Sequence, residues 1–194
     1  YKKLSGWQKF SYRFYRHPIF LFGIAPILLF TIQHRFTKPY MTAREKMYVH
    51  MTNLALVVSI GLLIRFIGWK AFLMIQLPVL YIASVHGVWL FYIQHQFRHV
   101  VWTDSSGWDY QTVALQGSSL FKLPSVLNWF TGNIGYHHIH HLSPAIPNYN
   151  LKRCHKENPL FHKVKPITFM TAFESLRLRL WDEKNRRLIS FSEM

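Results

Sequence analysis

Four histidines crowd into the run Gly135, Tyr136, His137, His138, Ile139, His140, His141, Leu142, Ser143, Pro144. On a helix, residues three and four apart share a face, so His137 projects beside both His140 and His141, while His138 reaches only toward His141. The pattern H-x-x-H-H therefore aims three imidazoles at one place. Neutral imidazole ligates iron, zinc, copper and nickel, and helical His pairs are a recurrent way of building such sites. Three ligands are too few for two metals, and the spacing does not choose the metal. A second group, Gln94, His95, Gln96, Phe97, Arg98, His99, follows directly on an apolar stretch. His95 and His99 are four apart, and His95 is the stronger candidate for a further ligand. His86, inside the apolar stretch, reads as a neutral hydrogen-bonded imidazole. His17, His34, His50, His155 and His162 flank apolar runs or sit among Lys and Arg, so they read as interfacial or solvated.

These side chains need elements to hold them. The chain is 50% hydrophobic and 17% aromatic, an excess that asks for burial in lipid or in a large core. Three apolar stretches stand out, 18–33, 52–67 and 71–93, and only the third comfortably exceeds the roughly 20 residues that cross a bilayer. The short turn Gly68, Trp69, Lys70 makes the second and third an antiparallel helical hairpin, whose outer ends share one side of the membrane. Lys and Arg are dense before 18, between 35 and 46, and after 94, so all three polar segments read as cytoplasmic. With both flanks on one side, the stretch 18–33, broken by Gly23 and Pro26, reads as in-plane or re-entrant; a single true span is the alternative. The expected fold is an all-α integral membrane protein in one domain. It comprises a cytoplasmic or in-plane segment at 1–49, a transmembrane hairpin at 50–94, and a cytoplasmic helical cap at 95–194 carrying the histidine site. If the hairpin is right, His95 emerges on the same face as His137, His140 and His141. Near the end, Thr171 followed by Glu174 suggests a capping box, with Phe169, Phe173, Leu176 and Leu180 at helical spacing opposite Arg177, Arg179 and Lys184.

The formal charge of +15 favours an anionic partner, and the apolar runs beside it favour lipid head groups. The basic residues form no single stripe, which argues against nucleic acid. Cys154 is the only cysteine, so no intrachain disulfide forms. The first residue is Tyr1, with no secretory leader before the first apolar run, so the chain reads as trimmed or incomplete.

At the runs Arg16 to Pro26, Gly68 to Leu73, Gly87 to Phe97 and above all Thr131 to Leu151, the sequence resembles the membrane fatty acid desaturases, most of all the omega-6, or delta-12, acyl-lipid group. The resemblance implies three histidine boxes that together hold two irons. Only the last box is matched here, at His137, His140 and His141, with His95 as a further ligand. It implies oxygen-dependent desaturation of lipid acyl chains with electrons from a ferredoxin or cytochrome-type donor. Arg98 and His99 stand where acidic residues are usual in the omega-6 group. Neither earlier box appears between Tyr1 and Gln94, so the expectation is an N-terminal half supplied elsewhere and no desaturation by this chain alone. Leu120, Phe121, Leu123, Trp129 and Phe130 would line an acyl passage or simply pack the cap, and Asp104, Asn133, Asn148 and Asn150 are candidates to orient the ligands. Two other readings stay open: a related di-iron hydroxylase or ketolase, and a non-catalytic membrane remnant that binds metal or lipid.

Overall fold

The computed structural model describes residues Tyr1–Met194. The chain divides into two compact units, Lys2–Trp89 and Leu90–Met194, with Tyr1 joined to the latter.

In the first unit, α1 (Gly6–Tyr15) begins at Ser5, whose hydroxyl accepts from Gln8 N while the Gln8 side chain accepts from Ser5 N at 2.9 Å. Trp7, Phe10 and Phe14 recur along one face of α1 and stack in sequence at 5.5 and 6.1 Å. The stretch read as in-plane or re-entrant is helical: α2 (Ile19–Arg35) is bent 49° from α1, so the pair reads by geometry as a broken span or a re-entrant loop. Wide turns at Ile19–Ile24 and Leu28–Ile32 flank Pro26. Proline donates no N–H and its ring crowds the preceding turn, so the helix opens there to accommodate it. α3 (Ala43–Ile67) starts from a capping box of Thr42 with Glu45, and Asn53 ties it to the end of α2 by donating to the Arg35 carbonyl at 2.8 Å. Gly68, at φ 81°, is the entire link to α4 (Trp69–His95). Only glycine takes that conformation without strain. At 25 and 27 residues, both helices are long and apolar enough to cross a membrane. The expected hairpin rests on the one-residue link alone, because α3 buries no residue and is not packed along α4.

The second unit is mostly helical but not all-α. Helices α5 (Tyr110–Gln116), α6 (Ser125–Phe130), α7 (His137–Leu142), α8 (Asn148–Glu157) and α9 (Phe169–Ser175) surround two short sheets. β1 (Leu120–Phe121) pairs in parallel with β2 (Pro166–Ile167), and Leu120 also bridges to Tyr136 just before α7. β3 (Leu180–Asp182) pairs antiparallel with β4 (Arg187–Ile189). That hairpin corrects the long terminal helix expected from the spacing of Phe169, Phe173, Leu176 and Leu180. The cap is Thr168 with Thr171, three residues earlier than expected, and α9 ends at Ser175. The Asp182 carboxylate accepts from Lys184 N, Asn185 N and the Asn185 side chain. With Arg186 at φ 47°, this local turn competes successfully with helix. Two small cores result: Val100, Leu178 and Leu188 with Phe97 and Trp181, and Ile139, Leu151 and Phe161 with Tyr136 and Cys154.

Candidate metal centre

The end of α4 is clamped by the glutamines on either side of His95. Gln94, 1% exposed, donates through Nε2 to the Ile134 carbonyl at 2.8 Å and accepts at its own carbonyl from Ser119 N at 3.1 Å. Gln96 donates to the Leu178 carbonyl at 2.8 Å. Between them His95 is stationed against the turn after α5, where its Nδ1 lies 3.1 Å from the Gly117 carbonyl. A carbonyl only accepts, so Nδ1 carries the hydrogen and Nε2 presents a lone pair. Gly117 must be small, because a Cβ there would sit 2.5 Å from the Val113 carbonyl oxygen.

α7 brings the other partners. Gly135 lets the chain pass close to β1; a Cβ would stand 2.5 Å from the Phe121 carbonyl oxygen. The C-terminal carbonyls of α7, at His141 and Leu142, accept from the Tyr110 hydroxyl at 3.0 and 2.8 Å. His137 and His141, one turn apart, meet His95: His95–His137 Nε2 atoms are 2.9 Å apart, His95–His141 3.3 Å, and His137–His141 3.1 Å. Each Nε2 offers either one hydrogen or one lone pair. Around a triangle, three mutual contacts cannot all join a donor to an acceptor. A cation bound by three lone pairs, about 2.0–2.1 Å from each nitrogen, removes the conflict. The donor set therefore fits a metal ion, and these three histidines could hold one.

Electrostatics point the same way. Burial, reinforced by His95, His141, His140 and His138, pushes His137 down to about 3. Burial and then His95 and His140 lower His141. Both rings are neutral at physiological pH, the form that ligates.

His140 does not join the triangle. Its ring stacks on His137 at 5.7 Å and lies 6.2 Å from His141. His138 turns to the opposite side of α7, fully buried, with its ring against Phe161 and His155 at 5.7 and 5.6 Å. His86 donates through Nδ1 to the Ile82 carbonyl within its own helix, 2.8 Å away, the bland role expected for it. None of the polar residues proposed to orient ligands reaches a histidine: Asp104 closes a turn with Ser106 and Gly107, and Asn133 donates to the Asn148 carbonyl. The orienting groups are instead the Gly117 carbonyl, Gln94, Gln96 and Tyr110. A backbone carbonyl leaves no trace in a residue pattern; the two glutamines flanking His95 were the available signal. Of the aromatic residues offered as an acyl lining, Phe121 is buried against Phe169, whereas Trp129 and Phe130 are each 74% exposed.

A family described as fatty acid desaturase matches residues 2–170. A fatty acid desaturase of Bacillus subtilis is 43% identical over 191 residues, covering 98% of this chain and 54% of the relative. A human sphingolipid delta(4)-desaturase/C4-monooxygenase is 42% identical over 70 residues, 35% of this chain and 20% of the relative. The chain thus spans about half the length of the first of these relatives and a fifth of the second. With the family matched over most of its length, including both long apolar helices and all three converging histidines, the chain belongs to the fatty acid desaturase family.

Proposed function

We propose that this chain is the C-terminal part of an iron-dependent desaturase acting on lipid-linked acyl chains, with His95, His137 and His141 as one iron's ligands from this segment and His140 as a ligand to a second iron. The observation that carries the reading is the Nε2 triangle, which hydrogen bonding alone cannot satisfy. Bound iron would supply, with molecular oxygen and external electrons, the oxidising power to take one hydrogen from each of two adjacent, unactivated methylenes. The chain's own residues hold and orient: the Gly117 carbonyl fixes the His95 tautomer, Gln94 and Gln96 anchor its helix end, and burial keeps His137 neutral. Four histidines do not fill two coordination spheres, so turnover needs further ligands from outside this segment. The omega-6 likeness of the flanking motifs supports a lipid-linked substrate. The lysine and arginine distribution supports a cytoplasmic cap, and that basic face suits an acidic ferredoxin or cytochrome-type donor.

The test is iron content and oxygen-dependent double-bond formation in membranes of a host lacking its own desaturase. The chain is expressed in its complete reading frame, with each of the four histidines changed to alanine in turn. Loss of both iron and product in all four supports the reading. Product formation persisting in the His95→Ala and His137→Ala variants refutes it. Hydroxylation is the second outcome to assay, because the human relative's name joins desaturation to C4 monooxygenation.

A further inference from the structure

A cavity of about 700 Å³ opens in the Leu90–Met194 unit, between the segment after α4, the end of α5 and the chain leading into α9. Phe97, Leu115, Leu160, Val164, Ile167 and Leu178 give it an apolar wall. Lys163 and Lys165 also line it, and both are exposed. Neither lysine pairs with a carboxylate. Glu174 also faces the cavity, but its Oε1 is held by Arg98 Nε at 2.9 Å and Nη2 at 2.6 Å, and the same guanidinium bonds Glu193 at 2.6 Å. The negative charge is thus already answered and the two lysines are not. Deeper in the wall Ser175, 1% exposed, has a hydroxyl without a hydrogen-bond partner. Buried hydroxyls almost always find one. None of His95, His137 and His141 lines this space.

We propose that this cavity is a binding site for a single-chain anionic amphiphile, separate from the metal centre. Its carboxylate or phosphate sits between Lys163 and Lys165, its hydrocarbon lies on the apolar wall, and an oxygen along the ligand, such as an ester carbonyl, accepts from Ser175. The volume falls within the range of small-molecule sites, which combine an apolar lining with a few placed polar groups. A neutral acyl chain gains only the apolar part of this arrangement. Inorganic phosphate gains only the charged part.

The test is equilibrium binding of radiolabelled oleate and lysophosphatidate to the purified full chain in neutral detergent, with methyl oleate and inorganic phosphate as competitors. The expected result is saturable binding that neither competitor displaces, weakened at least about tenfold by K163Q/K165Q, a loss of about 1.4 kcal/mol. Leu178→Trp, which fills the wall, should abolish it. The lysine pair is solvent-exposed, so its variant tests the site even where the tryptophan variant fails to fold. Tighter binding of lysophosphatidate than of oleate, reduced by Ser175→Ala, identifies the phosphate ester as the source; equal binding of the two identifies the carboxylate. Either result supports the site. Competition by methyl oleate, unchanged binding in K163Q/K165Q, or loss of binding in His137→Ala overturns it.

Discussion

At the scale of single residues, the deciding fact is a parity constraint. Three Nε2 atoms in mutual contact, one tautomer already fixed by Gly117, want a cation more than they want each other. Alanine at His95, His137 or His141 should therefore lower metal affinity by more than the roughly 10–100-fold typical of outer-shell changes. His140→Ala should leave the first ion bound in this chain alone. Divalent metal titration of the purified chain, read by bound metal per chain, checks both expectations. Acidification separates the folded and unfolded states. An unfolded histidine takes up its proton near pH 6.5, whereas burial holds His137 off until about 3 and His138, with His155 adding to the effect, until about 4. Folded pKa values below the unfolded ones mean stability that is complete above pH 6.5 and drains as pH falls toward 3, by up to about 1.4 kcal/mol per pH unit per group. Denaturant melts at pH 7.5 and 5 should show that loss, and His138→Phe should reduce it. A pH-independent midpoint would contradict the burial argument.

At the scale of elements, the centre depends on how a helix end and a short helix are fastened. Gln94→Leu leaves the Ile134 carbonyl without its donor inside the fold, which should cost about 1–3 kcal/mol and loosen His95. Gly135→Ala pushes a methyl group onto the Phe121 carbonyl, a backbone atom that cannot swing aside. About 1–3 kcal/mol of overpacking is expected. Thermal unfolding of detergent-solubilised protein measures both, and metal titration of the still-folded fraction shows whether the loosened helix end reaches the site. The apolar periods at 52–67 and 71–93 were legible as helices because long hydrophobic runs leave few other options. The terminal segment was not: Leu176 and Leu180 keep a helical rhythm, yet Asp182 offers the backbone at Lys184 and Asn185 an alternative bond, and a two-strand hairpin wins. Such local competition is decided by which backbone groups find partners, a quantity that residue spacing does not carry.

At the scale of the whole chain, two helices long and apolar enough to cross a membrane are joined by one glycine, and the proposed topology has the chain cross and return to the cytoplasmic side. With Cys154 replaced by serine, a cysteine at Lys46 and another at Glu183 should both react with an impermeant thiol reagent only from the cytoplasmic side, and a cysteine at Trp69 only from the opposite side. Labelling of Lys46→Cys and Glu183→Cys from different sides would break the two-span topology.

The sequence by itself determined the membrane character, the H-x-x-H-H histidine pattern and the desaturase likeness, because hydropathy, residue spacing and a long specific motif are all local properties of the chain. Only the tertiary structure decided that His95, His137 and His141 converge while His140 stands aside, and that a backbone carbonyl rather than an asparagine or aspartate sets the tautomer. His95 is more than forty residues from α7, and their meeting is fixed by Gln94, Gln96 and the close passage at Gly135. Those are long-range contacts, formed only when the segment Leu90–Met194 folds around the end of α4.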